Sequence, residues 1–285
     1  MVIDLFGLDE KEVRQRFPEV YQHVYDQVYV KKWNPDANGG KGAWEGREVN
    51  RRESYKRLWW IHGEPRKDLR PAIAGLGRFV ATVEIAKHRI FEFLGGDVTP
   101  DNRIVVIATD NAFDLGVLSS NSHVAWSLFS GGTLEDRPSY SKSQVFDPFP
   151  FPDATPEQRA TIADLAEELD ATRKAALAEV PGLTMTEIYN LREKLRSGAT
   201  LDLAEQDRAR AARAGIVNRL HEQIDTAVAA AYGWADDWKN GDLPPAEIVA
   251  RLVALNAERA AEEKAGTVRW LRPDYQIPRF GTKKP

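Results

Sequence analysis

The fold is decided by three segments: GRFVATVEIAKHRIFEFL (Gly77–Leu94), NRIVVIATDNAFDLGVLSSNSHVAWSLFSGG (Asn102–Gly132) and SYSKSQVFDPFPFP (Ser139–Pro152). In the first segment, apolar and polar side chains alternate with a period of two, which is typical of a half-buried strand, and a second strand is predicted at its end. The β-branched run Arg103–Thr109 predicts a further, buried strand. We therefore expect a small sheet that packs on one face and carries Arg, Lys, His and Thr side chains on the other.

A helix is predicted after these strands. Ser119 and Ser120 offer hydroxyls that can cap its first turn, and apolar side chains continue through Phe129. Gly131 and Gly132 are typical of a helix end. The prolines of the exit segment FDPFPFP then favour a rigid, extended chain. Short strands together with one helix predict a small mixed α/β domain.

The remainder of the chain divides around this domain. Residues 4–30 predict an amphipathic docking helix, and the Gly/Asn-rich residues 34–46 predict a loop. Helical periodicity in Ala, Leu, Glu and Arg appears at residues 156–179, 184–196, 206–234 and 244–265. The basic tail that follows is predicted to be non-helical. The expected fold class is α+β, with a docking helix and loop at 1–46, the mixed α/β domain at 47–152 and an all-α helical domain with a basic tail at 153–285.

Composition limits the class of protein. The 285 residues are 42% hydrophobic and 29% charged and contain no cysteine, which excludes disulfides and thiolate metal sites. No apolar run approaches the ~20 residues that a membrane span needs. The N-terminus lacks the basic and then apolar pattern of a signal peptide. These features predict a cytoplasmic protein that does not contact a membrane.

The net charge of −4 conceals a basic segment. Residues 41–91 carry 12 Lys and Arg against 6 Asp and Glu. A basic segment in an acidic protein is typical of a surface that binds a polyanion, although a solvated basic face has the same composition. Tyr55, Trp59 and Trp60 interleave with these cations. Such aromatic side chains stack on nucleic acid or, as we favour for the two tryptophans, cover the core.

No catalytic motif is convincing. FLGGD (Phe93–Asp97) has the wrong glycine spacing for a methyltransferase cofactor loop, and Asp147–Pro150 lacks the order of an Asn/Asp-Pro-Pro-aromatic catalytic loop. His221 and Glu222 lack the second histidine of a zinc hydrolase motif. Glu262–Lys264 lies on a predicted charged helix, where charge runs are usually solvated. We therefore predict no catalytic, cofactor-binding or metal-binding residue in this chain.

Several ordered segments resemble one family. They are WWIHGEPRKDLRPAIAGLGRFVATVEIAKHRIFEFL (59–94), FDLGVLSSNSHVAWSLFSGG (113–132), SYSKSQVFDPFPFP (139–152), MTEIYN (185–190), HEQIDTAVAAAYGW (221–234) and LPPAEIVARLVALNAERA (243–260). Their succession resembles the carboxyl-terminal part of MmeI-like, type IIG-type restriction–modification DNA methyltransferases. That part consists of a target recognition domain and a helical domain. The resemblance spans nearly the whole chain, with residues 31–46 as an insertion.

The resemblance implies a complete enzyme that transfers a methyl group from S-adenosylmethionine to the exocyclic amine of adenine at a defined DNA site. This chain lacks the cofactor and catalytic loops of such an enzyme. It is therefore expected to be inactive alone, to bind double-stranded DNA and to position the target adenine for a methyltransferase core domain or subunit. No cofactor is expected in this chain, whereas the complete enzyme would use S-adenosylmethionine.

The side chains predicted to contact DNA lie in four places. Those on the strands and the turn between them are Arg78, Thr82, Lys87, His88 and Arg89. Those at a helix start, where backbone amides favour phosphate, are Ser119, Ser120, Asn121 and His123. The loop before the exit segment contributes Ser139, Tyr140 and Lys142, and a proline-bounded loop contributes Arg66, Lys67 and Arg70. The sequence leaves open which of them read bases and which hold phosphates.

Two other functions remain as alternatives. The chain is itself a methyltransferase or nuclease, against which the missing loops argue and for which binding of S-adenosylmethionine by the isolated chain would argue. Alternatively, it is a structural or protein-interaction fragment, in which the helical domain and residues 4–30 form an interface and the basic stretch is incidental. Co-purification with a methyltransferase, without an effect of Lys87, His88 and Arg89 on DNA binding, would favour this second alternative.

Overall fold

The computed structural model describes residues 2–134, 137–238 and 243–281. The chain divides into two compact units, Met1–Pro71 and Ala72–Pro285. Short antiparallel strands and a predominantly helical carboxyl-terminal region confirm the predicted α+β class. In the described ranges, no helix is both long enough and apolar enough to cross a membrane. The domain boundaries expected at residues 46 and 152 stay a prediction.

The first unit is built from short helices and one small hairpin. Its elements are α1 (Glu10–Arg16), α2 (Pro18–Val24), a π-helical turn (Tyr25–Tyr29), β1 (Lys32–Asn34), the helical turn α3 (Ala37–Gly40), β2 (Ala43–Glu45), a 3-10 turn (Arg47–Val49) and α4 (Glu53–Arg57). Helix α5 (Leu69–Ile73) spans the boundary between the units. The predicted loop at residues 34–46 is therefore wrong in part, because it contains most of an antiparallel hairpin.

Local chemistry explains the helices of this unit. Asp9 caps α1 in a reciprocal arrangement, in which Asp9 Oδ1 accepts from the Glu12 amide and Glu12 Oε2 accepts from the Asp9 amide. The predicted single helix is divided at Phe17, whose backbone is non-helical, and Pro18 starts α2 at the position where proline is tolerated. Trp59 is buried in this unit's core, which confirms its interpretation as a core residue.

The second unit contains an antiparallel sheet with strand order β4-β3-β5. Its strands are β3 (Arg78–Val83), β4 (Glu92–Gly95) and β5 (Ile104–Ile107). A separate short pair, β6 (Thr133–Leu134) and β7 (Arg137–Pro138), precedes the exit segment. Because β3 is the central strand, Phe79, Val80 and Ala81 are all buried instead of alternating between core and solvent.

Helices surround this sheet and form the rest of the second unit. They are α6 (Ala112–Ser119), α7 (Asn121–Ser130), α8 (Pro156–Glu179), α9 (Met185–Arg196), α10 (Leu203–Ala211), α11 (Ala214–Ala231), α12 (Pro245–Lys264) and α13 (Pro273–Phe280), with a π-helical turn at Lys142–Phe146. One hydrophobic core joins the sheet to the helices, and it includes Val80, Leu118, Leu169 and Ile224.

Two helical predictions need correction, and a third is confirmed in outline. The predicted helix at 206–234 is two helices, because Arg213 has a left-handed backbone with φ of +54°. The tail predicted to be non-helical contains α13, in which Pro273 lies in the first turn and Pro278 lies inside. The helix at 119–130 is confirmed in outline as α7, but Leu128 and Phe129 are exposed, and Trp126 points into the core.

Candidate nucleic-acid interface

The end of β3 is a junction of three chain segments. Beyond Val83, the Glu84 amide donates to the Arg103 carbonyl at the start of β5, at 2.8 Å, and the Glu84 carbonyl accepts from the Tyr140 amide, at 2.7 Å. Ile85 forms an isolated antiparallel bridge with Ser139. The segment that follows β7 is therefore tied by main-chain hydrogen bonds to the extension of the central strand.

Arg89 reinforces this junction with its side chain. Its guanidinium donates to the carbonyl oxygens of Val83 and Pro138, the latter at 3.1 Å, and to the Thr82 hydroxyl at 3.2 Å. It also stacks on the Tyr140 ring, 4.9 Å from the centroid. Burial lowers the pKa of Arg89 to about 10. The fork geometry of a guanidinium is what allows one side chain to bond to three acceptors on two chain segments.

Tyr140 and His123 form a buried pair beneath Arg89. The Tyr140 hydroxyl and His123 Nε2 share a hydrogen bond of 2.9 Å, and the histidine ring packs edge-on against Phe149 at 4.3 Å. Burial lowers the pKa of His123 to about 3, and the nearby Arg89 charge adds to this effect. Burial also raises the pKa of Tyr140. Both rings are therefore neutral at pH 7 and fasten α7 to the exit segment.

The start of α7 is occupied by other parts of the protein. Ser120 caps the helix, accepting from the His123 amide at 3.4 Å and donating to the Val117 carbonyl at 2.7 Å. The Asn121 amide donates to the Asp225 carboxylate at 2.6 Å. Ser119, the last residue of α6, is buried. A carboxylate from α11 thus already meets the backbone amide that was predicted to favour phosphate.

Three of the predicted strand residues contact the helices. Arg78 pairs with Glu167 of α8 through two hydrogen bonds, which raise the pKa of Arg78, and its guanidinium lies 3.7 Å from the centre of the Phe93 ring. Lys87 and His88 both bond to Asn190 Oδ1 on α9, at 2.9 and 2.8 Å. These contacts join the start of β3 and the connection between β3 and β4 to the helical region.

Three further predicted residues belong to the first unit. Arg70 makes a bidentate ion pair with Asp4, at 2.8 and 3.0 Å, and also bonds to the Pro65 carbonyl. Arg66 and Lys67 are exposed, and Arg66 has a left-handed backbone with φ of +49°. Among the described residues, neither Arg66 nor Lys67 has an ion-pair partner.

The predicted residues near the end of β3 are therefore of two kinds, internal and exposed. The structure brings together Thr82, Arg89, His123, Ser139 and Tyr140 as one internal network. Lys87 and Lys142 are exposed near it, and Lys142 makes a solvent-exposed ion pair with Asp147 at 2.6 Å. Contact between any of these side chains and DNA stays a prediction.

Two exposed cations were missed from the sequence. Arg103 precedes β5 and bonds to Glu84 through its backbone carbonyl, and Arg137 lies on β7. Arg103 could have been found from its position at the start of a predicted strand beside a turn, where side chains are often exposed. Together with Lys87 and Lys142, these side chains lie within two residues of the main-chain bonds that form the junction. We call the four exposed cations the rim: Lys87, Arg103, Arg137 and Lys142.

The loop after the junction presents polar side chains on a fixed backbone. Ser143 and Gln144 are exposed in the π-helical turn, which is capped by the Ser141 hydroxyl. Trp126 Nε1 donates to the Val145 carbonyl at 2.9 Å and so anchors the turn to α7. In the described ranges, no three His, Asp or Glu side chains come together as a metal site.

Comparisons with known proteins agree with the resemblance. Residues 84–153 match the family model described as the MmeI target recognition domain. The match starts at the residue that bonds to both Arg103 and Tyr140 and ends just beyond the exit segment. The family predicted from the sequence motifs is thus confirmed for this region.

Two individual proteins are similar over different lengths. DNA methyltransferase A of Bacillus subtilis (strain 168) is 28% identical over 121 residues, which is 42% of this chain and 12% of that protein. The structure of the type IIL restriction–modification enzyme MmeI in complex with DNA superposes with a TM-score of 0.55 at 17% identity. That superposition covers 90% of this chain and 28% of MmeI, so the chain has the fold of a portion of that enzyme.

Proposed function

We propose that this chain recognises a DNA sequence for a restriction–modification methyltransferase. The observation that carries the proposal is the match of residues 84–153 to a target recognition domain. All four rim residues lie within the matched range, as do the main-chain bonds of the junction.

The rim supplies the charge that DNA binding needs. Exposed Lys and Arg side chains neutralise phosphates and release counterions, which gives sequence-independent and salt-dependent affinity. The Lys142–Asp147 pair does not prevent this, because exposed ion pairs are weak and exchange readily with solvent. In this proposal the rim holds the phosphate backbone and sets the register of the protein on the duplex.

In this proposal, polar side chains beside the rim contact the bases. Ser143 and Gln144 are exposed on a turn whose backbone is anchored by Trp126, so their hydrogen-bonding groups have a defined position. Gln and Ser side chains are suited to the donors and acceptors at base edges in the major groove. We propose that these two residues contribute to the choice of sequence.

The buried residues of the predicted set have a positioning role in this proposal. Arg89, Tyr140 and His123 bind main-chain carbonyls and one another, which fixes the segment after β7 against the central strand. Arg78 and His88 connect the same region to α8 and α9. A rigid scaffold beneath surface side chains is what precise recognition requires.

The proposal extends to the methyl-transfer activity of a complete enzyme. The similarity to DNA methyltransferase A supports transfer of a methyl group to DNA. We propose that a methyltransferase core binds S-adenosylmethionine and modifies an adenine that is flipped out of the duplex, while this chain fixes the site. The assignment to type IIG and the cytoplasmic location belong to the same proposal.

Selection from a random duplex library tests sequence recognition directly. The full chain is immobilised, mixed with duplexes that contain a randomised central segment, and the retained DNA is sequenced over several rounds. We expect one motif to be enriched, and Gln144→Ala to lose preference at one of its positions by about 1–3 kcal/mol. Retention of DNA without any enriched motif would contradict sequence recognition.

A further inference from the structure

The hairpin of the first unit exposes two indole rings. Trp33 and Trp44 are 53% and 56% exposed, whereas the other six tryptophans are buried or half-buried. The two rings face each other across β1 and β2, with centroids 5.5 Å apart and an angle of 68° between their planes. Each tryptophan residue therefore keeps about half of its surface in water. Large exposed aromatic surface of this kind is typical of a binding site.

The hairpin is built to hold these rings in place. Gly42 has φ of +74°, and a Cβ atom there would collide with the Trp33 ring. Gly46 has φ of +119°, and a Cβ atom there would lie 2.6 Å from the Val30 carbonyl oxygen. Both positions need glycine for backbone and space. Gly42 lets the turn pack against the Trp33 ring, and Gly46 lets the chain after β2 pass close to the Val30 carbonyl.

Basic side chains lie on the hairpin and shortly after it in the chain. The Lys31 ammonium lies 5.6 Å from the centre of the Trp44 ring. Lys32 and Lys41 are exposed on the same hairpin, and Arg51 and Arg57 are exposed shortly after it. Among the described residues, none of these five cations has an ion-pair partner. Exposed aromatic rings with unpaired cations are suited to an anionic ligand that has flat, stackable groups.

We propose that the hairpin binds unpaired nucleotides of single-stranded nucleic acid. Bases stack on Trp33 and Trp44, and the lysines contact the flanking phosphates. Unpaired bases are required because stacking on an indole face needs a base face that is not already covered in a duplex. This site lies in the first unit, whereas the rim lies in the second, so the inference is independent of the proposed sequence recognition.

Paired substitutions separate stacking from hairpin stability. The full chain is titrated with a fluorescein-labelled oligothymidylate, and binding is followed by fluorescence anisotropy. Trp33→Phe/Trp44→Phe keeps two aromatic faces, whereas Trp33→Leu/Trp44→Leu keeps apolar side chains without them. We expect the Phe variant to bind within about threefold of the original protein and the Leu variant to bind at least about tenfold more weakly.

A second comparison keeps this inference distinct from the proposed function. Arg210→Ala, which removes an exposed cation of α10 that belongs neither to the hairpin nor to the rim, should leave the affinity for oligothymidylate unchanged. Absence of binding by the unsubstituted chain would overturn the proposal, and so would equal affinity of the Leu and Phe variants. The result for duplex DNA does not enter either outcome.

Discussion

Arg89 donates a hydrogen bond to the carbonyl oxygen of Pro138 across 3.1 Å, between chain positions 49 residues apart. The same guanidinium bonds to the end of β3 through Thr82 and Val83. A side chain that was predicted to face DNA therefore joins the central strand to the segment after β7. The four rim cations lie within two residues of the main-chain contacts of this junction.

Replacing Arg89 tests its positioning role. Arg89→Lys keeps the positive charge but replaces the planar fork with one ammonium, so acceptors on at least one segment lose their donor. We expect the free energy of unfolding to fall by about 2 kcal/mol, measured by urea denaturation followed by circular dichroism. Arg103→Lys is the matched control on an exposed residue and should change it by less than about 0.5 kcal/mol. Equal stability of both variants would contradict the role.

Alanine substitutions at two helical glycines are expected to change the free energy of unfolding in opposite directions. A Cβ atom at Gly116 would lie 2.5 Å from Ile162 Cγ2 and 3.0 Å from the Ile162 carbonyl oxygen. Gly116→Ala should therefore force the helices apart and lower the free energy of unfolding by about 2 kcal/mol. Gly215 lies in the first turn of α11 with open space around it, so Gly215→Ala should raise it by about 0.5–1 kcal/mol. Thermal unfolding of both variants checks the signs, and a stabilising Gly116→Ala would refute the packing.

The buried His123 is expected to contribute to the loss of stability at acid pH. Its pKa is about 3 in the folded chain and 6.5 when unfolded, so below pH 6.5 the unfolded chain binds a proton that the folded chain does not. Its contribution to stability is present above that pH and is lost progressively as the pH falls. The slope is about 1.4 kcal/mol per pH unit. His123→Gln should reduce the slope by about that amount between about pH 6 and about pH 5.

Asp114 contributes to the pH dependence of stability with the opposite sign over the same pH range. Burial raises its pKa to about 6 from 3.8, so the folded chain binds the extra proton between these values, and stability rises as the pH falls. This contribution is present with and without His123, and the difference between the two proteins therefore isolates the histidine. Urea denaturation at successive pH values gives the slopes. Parallel slopes for the two proteins would show that His123 is protonated in the folded state.

Local features were predictable because they depend on nearby residues. Ser120 caps α7 through its own hydroxyl, and the β-branched run before Thr109 forms β5. Pro156 starts α8 and Glu179 ends it, as the periodicity indicated. Helix α6 was missed because every one of its residues is buried, so it has no polar face and no amphipathic period.

The sequence could not predict which basic side chains contact other parts of the protein and which remain exposed. Arg78 finds Glu167 at a separation of 89 residues, and His88 finds Asn190 at 102. Only the tertiary fold brings these partners together, and a strand pattern cannot show which face meets a helix. The composition of the basic segment therefore indicated charge without indicating which cations remain exposed.

The salt dependence of duplex binding tests the central claim most directly. The dissociation constant of the full chain for a mixed-sequence duplex is measured over a series of salt concentrations. The comparison includes Arg103→Ala/Lys142→Ala and, as the matched control, Arg210→Ala, an exposed cation of α10. If the rim holds phosphates, the double variant binds more weakly and its salt slope falls by about two, whereas the control behaves as the original chain. An unchanged slope and affinity for the double variant would contradict DNA binding by the rim.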